Sequence, residues 1–250
     1  MTIVELMKKR RSIRRYKISP IPRQVINRII EAASYAPSGL NRQPWFFVAV
    51  SNFGLKEKNC QEGEKVELMK KRRSIRRYKI SPISRQVINR IIEAASYAPS
   101  GLNRQPWFFV AVSNLDLKEK IRQECEKGEQ KFYDHVKGSF KESLSFLNLS
   151  PVKSFLTEAP YLIVAFAKKG EPYWNESMWI CIGYTILKIQ EERLASLTYT
   201  PPQTSFLNEM LNISKKYKAV AILPVGYPNE KVDVSKRKRK LIDQLVRFIE

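Results

Sequence analysis

The chain has 250 residues, with 45 Lys and Arg against 24 Asp and Glu, a formal charge of +21 and a single histidine. Three cysteines without CxxC spacing exclude a disulfide framework and a zinc site, and one histidine excludes a supported His-based triad and multi-histidine metal centres; no metal is expected. No run approaches the ~18 apolar residues of a membrane span, and apolar residues precede the first basic run, the reverse of a signal peptide, so a soluble cytoplasmic protein is expected.

In chain order the first feature is a repeat. Residues 4–65 recur as residues 66–127, and only six of the 62 aligned pairs differ: Pro22/Ser84, Phe53/Leu115, Gly54/Asp116, Asn59/Ile121, Cys60/Arg122 and Gly63/Cys125. Solenoid repeats are more numerous and more diverged, so this reads as a tandem duplication within one domain. Removing one copy leaves 188 residues, a length that supports a full core. Residues 1–65 are therefore read as a duplicated appendage or exchanged copy, and 66–250 as the working domain.

Each copy opens with a short amphipathic helix (residues 67–73 in the second) and an Ile-Ser-Pro turn. A longer helix follows, with Ser84 as N-cap and Val87, Ile88, Ile91, Ile92 and Ala95 on one stripe; Pro22 stands at the same place in copy one. The loop APSGLNRQP leads to WFFVAV (107–112), a buried strand. Helices are expected from Leu55 and from Leu115. Beyond the repeat, residues 128–150 read as mobile helical segments or a lid, 161–167 as a strand, 175–194 as the longest helix, and 196–199 and 217–223 as strands. Residues 241–249 suit either a strand or a helix. With no GxGxxG or Walker loop, the class is α+β, a mixed sheet covered by helices.

Arg72, Ser74 and Arg76 alternate in the extended segment leaving a helix, so their donors can converge on one phosphate. A solvated basic helix end is the plainer reading of the same residues. The Gly-containing loop (Pro99, Ser100, Gly101, Leu102, Asn103) permits close backbone approach to a ligand or forms a mere turn. Tyr78 and Trp107 read as packing residues, Cys181 as a buried small hydrophobe and His135 as an exposed side chain.

The order RRSIR, APSGLNRQPWFFVAV, EAPYLIVAF, a long central helix and LPVGYP resembles the flavin-dependent nitroreductase superfamily, from Glu67 to the C-terminus. LTYTPP, YWNESM and KRKLIDQ are most similar to its iodotyrosine deiodinase branch. The resemblance implies an intertwined homodimer with FMN at the interface and the PSG loop contributed by the partner subunit. It assigns the phosphate to Arg72, Arg73, Ser74, Arg76 and Arg239, and the flavin surroundings to Pro99, Ser100, Gly101, Asn103, Thr198, Tyr199 and Thr200, with the Thr200 hydroxyl at the flavin N5 as the catalytic contact. Glu129, Tyr133 and Lys153 match the lid residues that hold a substrate's ammonium and carboxylate, and Leu102 supplies a backbone N–H to the phenolate. Glu129 and Tyr133, four apart, share a helix face.

The expected function is reductive dehalogenation of halotyrosines by an FMN oxidoreductase. A broad NAD(P)H-dependent nitroreductase or quinone reductase acting on nitroaromatics is the second reading; reduced nicotinamide or a protein is the electron donor. A non-catalytic basic protein whose KKRRSIRR and KRKRK runs grip nucleic acid is the third, and it leaves the PSG loop, Thr200 and the lid unexplained. Nucleic acid and membrane are thus not expected partners.

Overall fold

A computed structural model describes residues 2–17, 19, 21–51, 64–146, 149–230 and 239–249. In chain order the elements are α1 (Ile3–Lys9), α2 (Arg23–Ser34), β1 (Phe47–Val50), α3 (Glu64–Lys71), α4 (Arg85–Ser96), β2 (Trp107–Val112), α5 (Leu115–His135), α6 (Gly138–Phe146) and α7 (Phe155–Glu158). Then come β3 (Tyr161–Lys168), α8 (Trp174–Glu191), β4 (Ala195–Ser196), α9 (Phe206–Met210), β5 (Tyr217–Gly226), α10 (Ile242–Leu245) and β6 (Val246–Ile249). The helix expected from Leu55 and the basic residues 236–238 lie outside the described residues. Among those described, no helix is long and apolar enough to cross a membrane.

Two compact units form: residues 1–10 with 73–232, and residues 11–72 with 233–250. The first is an antiparallel four-stranded sheet, β2-β3-β5-β4, between two helical layers. Strand side chains alternate between faces, and β3 is covered on both, which explains its unbroken apolar run. Ile163, Ala165, Leu223 and Val225 face α4 and α8 through Ile88, Ile91, Met178, Cys181 and Ile182. Leu162, Val164, Phe166 and Ile222 face the other way, against Ile121 and Cys125 of α5, Leu156 of α7 and Leu207 of α9. The α+β class matches expectation.

Four of the six differences between the copies suit this packing. Ile121 and Cys125, where copy one has Asn59 and Gly63, are buried in the second face. Asp116 adds a negative charge to the first turn of α5, whose cap is Asn114, and Arg122 bonds Glu126 and Thr157.

The second unit is built on the parallel pair β1–β6, with Ile30 of α2 buried beside Leu245 and Val246. Residues 241–249 are thus both helix and strand, because Leu245 packs as helix while β1 offers Val246 onward an open edge. Residues 196–199 form less strand than expected: β4 ends at Ser196, and Tyr199 keeps only an isolated bridge to Ile222.

The first helices of the copies are crossed. In the first unit α1 lies against α4 and α8, with Ile3 and Met7 buried and Lys8 3.0 Å from Glu93. In the second, α3 lies against α2, with Lys70 3.1 Å from Glu31, the equivalent pair. The segments after them differ sharply. Tyr78 is 3% exposed with its hydroxyl donating to the Ile75 carbonyl, whereas its twin Tyr16 is 80% exposed.

Identical isoleucines in identical helices thus have opposite environments, Ile91 being fully buried and Ile29 60% exposed. Ile91→Ala is expected to cost ~2–5 kcal/mol in urea unfolding, and Ile29→Ala no more than ~0.5 kcal/mol. Equal costs would show that both helices are packed alike.

Candidate functional site

The segment leaving α3 is extended and stitched to the sheet. Ser74 bridges Ser196, Ile75 N–H donates to the Ser196 carbonyl at 3.3 Å, and Lys79 N–H donates to the Tyr227 carbonyl at 2.9 Å. Ile75 and Tyr78 are buried, while Arg73, Ser74 and Arg76 are half-buried. The Arg76 backbone N–H donates to the Glu230 carboxylate, and the Arg77 guanidinium holds Glu158 at 2.7 Å. Arg72 closes the second unit and is buried there.

Pro99 and Ser100 precede a tight 3-10 turn in which Leu102, Asn103 and Gln105 take left-handed φ near 50°. Gly101 N–H donates to Ser177 Oγ at 3.2 Å, tying the loop to the start of α8. A Cβ on Gly101 would stand 2.7 Å from the Tyr173 ring and 2.9 Å from the Pro172 carbonyl, so only glycine fits. Ser100 Oγ accepts from Gln105 N–H at 3.0 Å, leaving Leu102 projecting outward, 75% exposed. The same loop in copy one is gripped within the second unit by Arg239, which donates to the carbonyls of Tyr35 and Ala36 and to Asn41 Oδ1, each at 3.2 Å.

Thr198 Oγ1 is buried without a hydrogen-bond partner, and Thr200 is exposed just before a buried Pro201. Between them Tyr199 turns inward, its backbone paired with Ile222 and its hydroxyl donating to Glu129 at 2.9 Å. Thr198 and Thr200 thus flank the inward-turned Tyr199.

Glu129, Tyr133 and Lys153 converge. Lys153 Nζ lies 3.1 Å from Glu129 with both side chains 9% exposed, and 5.4 Å from the Tyr133 ring centre. The Lys153 backbone N–H donates to Glu126 at 2.6 Å, and Nζ donates to the Ser150 carbonyl. Burial, with the Glu129 carboxylate beside it, raises the Tyr199 phenol, so it stays a donor; burial likewise raises Tyr133. The lid motif alone did not reveal Tyr199 as the partner of Glu129, and Ser177 as the anchor of Gly101 carried no sequence signal.

Cys181 is buried and its thiol donates to the Ala95 carbonyl at 3.2 Å, burial raising its pKa; Cys125 is also buried and pushed up to about 12. His135 is exposed, and Trp107 packs against the core. Among the described residues no cluster of His, Cys, Asp and Glu could hold a metal ion.

A family model described as the Nitroreductase family matches residues 7–62 and 69–227, and so takes in both copies. The iodotyrosine deiodinase of Thermotoga neapolitana is 40% identical over 66% of this chain and 88% of its own length. That of Haliscomenobacter hydrossis is 34% identical over 80% and 96%. Among solved structures, oxidized iodotyrosine deiodinase bound to FMN and 3-iodo-L-tyrosine superposes with a TM-score of 0.66 at 38% identity, covering 68% of this chain and 92% of that one. An FMN-dependent nitroreductase from Clostridium difficile gives 0.53 at 26%, over 68% and 92%. With matching motifs on a matching sheet, and a model that spans most of its length, the chain belongs to the nitroreductase family.

Proposed function

We propose that the chain is an FMN-dependent oxidoreductase that reductively removes halide from halotyrosines, in the cytoplasm and as a homodimer. The observation that carries this reading is the buried Glu129–Lys153 pair with Tyr133 alongside. A polar clamp of this kind recognises a zwitterion, and a small nitroaromatic has no use for it. The working domain is residues 66–250, with the lid at about 128–153.

The chain's residues fit FMN. Within the first unit Arg73, Ser74 and Arg76 supply cationic and hydroxyl donors suited to a phosphate, whereas Arg72 and Arg239 lie in the second unit, where Arg239 is engaged with Tyr35, Ala36 and Asn41. Pro99, Ser100, Gly101 and Asn103 form a tight loop whose glycine admits no side chain, and the orphaned Thr198 hydroxyl and exposed Thr200 offer polar contacts beside a ring system. When bound, FMN supplies the electron pair drawn from a reduced nicotinamide or a protein donor; the carbon–halogen bond breaks, halide leaves and a proton completes the new C–H bond.

The protein's part is to bind and orient. Without substrate, Glu129 and Lys153 neutralise one another, which is the condition for keeping two charges buried. A halotyrosine inserts its ammonium opposite Glu129 and its carboxylate opposite Lys153 and the Tyr133 hydroxyl, exchanging one internal ion pair for two. The Tyr199 hydroxyl holds Glu129 in place from the loop that carries Thr198 and Thr200. The Leu102 backbone N–H meets the substrate phenolate, and the exposed Leu102 side chain bounds that end of the pocket.

Purified protein is expected to be yellow. Glu129→Gln should raise the iodotyrosine dissociation constant about tenfold or more, the ~1.5–3 kcal/mol of a bond to a charged group, in a titration of flavin fluorescence. Unchanged affinity would favour the broad nitroreductase reading. Tyr199→Phe, which removes only the hydroxyl, should weaken the same binding by ~1 kcal/mol, or roughly fivefold. Finally, Arg72→Ala with Arg76→Ala should release FMN on gel filtration while Arg10→Ala with Arg14→Ala retains it; the reverse would assign the phosphate to copy one.

A further inference from the structure

Helix α5 presents a row of polar side chains to the segment that carries Lys153. Lys118, Arg122 and Glu126 follow one another at intervals of four and Glu129 comes three later, so all four lie along one side of the helix. They meet residues 150–159 in reverse order. Lys118 Nζ donates to the Ala159 carbonyl at 2.7 Å and to the Thr157 carbonyl at 3.2 Å, and Arg122 Nη1 donates to Thr157 Oγ1 at 3.1 Å. Glu126 Oε1 accepts from the Lys153 backbone N–H at 2.6 Å, and Glu129 then pairs with Lys153 Nζ.

These bonds do what apolar packing between the same elements cannot. Ile121 and Cys125 share a core cluster with Phe155 and Leu156, but burial is non-directional and tolerates sliding of one element along the other. Charge-assisted hydrogen bonds are directional and fix the register. Upstream of Lys153 burial gives little support, since Ser150 is exposed and Val152 is 59% exposed. Downstream, the Lys153 carbonyl accepts from Leu156 N–H at 2.9 Å as α7 begins. The Lys153 backbone is thus held by α7 on its carbonyl side and by Glu126 on its N–H side.

Glu126 is itself aimed. Its Oε1 also accepts from Arg122 Nε at 2.7 Å while the same guanidinium bonds Thr157, so Arg122 ties this acceptor to the far end of the segment it holds. Thr157 Oγ1 donates in turn to the Ser154 carbonyl at 3.0 Å. Copy one repeats Lys118 and Glu126 as Lys56 and Glu64 but has Cys60 for Arg122, and the sequence of residues 150–159 occurs once in the chain. The complete set belongs to copy two.

We propose that Glu126, oriented by Arg122, is a positioning residue that sets where the Lys153 ammonium stands relative to the Glu129 carboxylate, and so makes the site select a ligand with the carboxylate of an α-amino acid. A zwitterion spans Glu129 and Lys153 only when the separation of those two groups matches its own, and a lysine displaced by about 1 Å loses that match. Glu126 acts on the ligand only through Lys153. This role takes its ligand from the halotyrosine reading, whereas the placing of Lys153 stands apart from it.

The test compares 3-iodotyrosine with 3-iodotyramine, which keeps the ammonium and the halophenol but has no carboxylate, by flavin fluorescence on the FMN-loaded full chain. Glu126→Ala should raise the iodotyrosine dissociation constant about tenfold and change that of iodotyramine by less than about twofold, because only the carboxylate reads the position of Lys153. Glu126→Gln keeps an amide oxygen able to accept both bonds, so it should bind iodotyrosine within about threefold of wild type; a Gln variant as weak as the Ala variant overturns the backbone bond as the cause. Equal weakening of both ligands would mean that Glu126 merely stabilises the lid, and it overturns the positioning role, as does unchanged binding of both. Should Glu126→Ala fold poorly, Arg122→Ala is expected to give the same one-sided loss of about threefold or more, and loss on both ligands or neither overturns the role. Wild-type protein that holds FMN but binds neither ligand would overturn the halotyrosine reading instead. The placing of Lys153 is then read by competitive acetylation and mass spectrometry: Glu126→Ala should raise the Lys153 rate about threefold or more by exposing an amine that burial shields, and an unchanged rate overturns it.

Discussion

The apolar surface shared by α8 and the strands β3 and β5 occurs once in the chain, whereas the helix able to cover it occurs twice. Ile88, Ile91, Ala94 and Ala95 of α4 occupy that surface. Their twins on α2 have no such surface, and α2 instead turns Ile30 to the C-terminal tail. The same amphipathic sequence thus uses one face in one copy and an adjacent face in the other. Burial of apolar area is non-directional and accepts either face, so the partner available decides which is used.

That allocation positions the candidate site. Because α4 belongs to the main core, the loop after it is anchored through Gly101 to Ser177, and the strand after it sets the edge of the sheet. On the opposite face, Ile121 and Cys125 seat α5 against β3 and β5, which carries Glu129 to Lys153 and Tyr199. A buried ion pair is costly to desolvate unless further bonds complete it. Here the Tyr199 hydroxyl bonds Glu129 and the Ser150 carbonyl accepts from Lys153, so the pair is held in place by both partners. The chain's excess positive charge plays a different part, since it lies largely in the two basic runs and in the tail.

The crossing of α1 and α3 has the same cause. Lys8 meets Glu93 and Lys70 meets Glu31, although the sequence equally permits Lys8 with Glu31 and Lys70 with Glu93. The first pair is exposed and the second half-buried at the surface, and such pairs are worth too little to choose between the arrangements. Ile3 and Met7 make the choice for α1, since they are buried in the unit that contains α4 and α8.

Much of the fold and site is legible in the residues. Apolar runs locate β2, β3 and β5, the Ser84 cap locates α4, and the spacing of Glu129 and Tyr133 puts them on one helix face. These features are local, being set by backbone periodicity, capping and turn chemistry within a few residues. What the sequence could not determine is the environment of identical segments: that Tyr78 is buried while Tyr16 is exposed, that the tail is first helix and then strand, and that Tyr199 turns inward to Glu129. Those outcomes depend on contacts between residues distant in the chain. Two copies of one sequence can differ in such contacts only because the rest of the protein offers each a different surface, and only the tertiary structure decides which surface each receives.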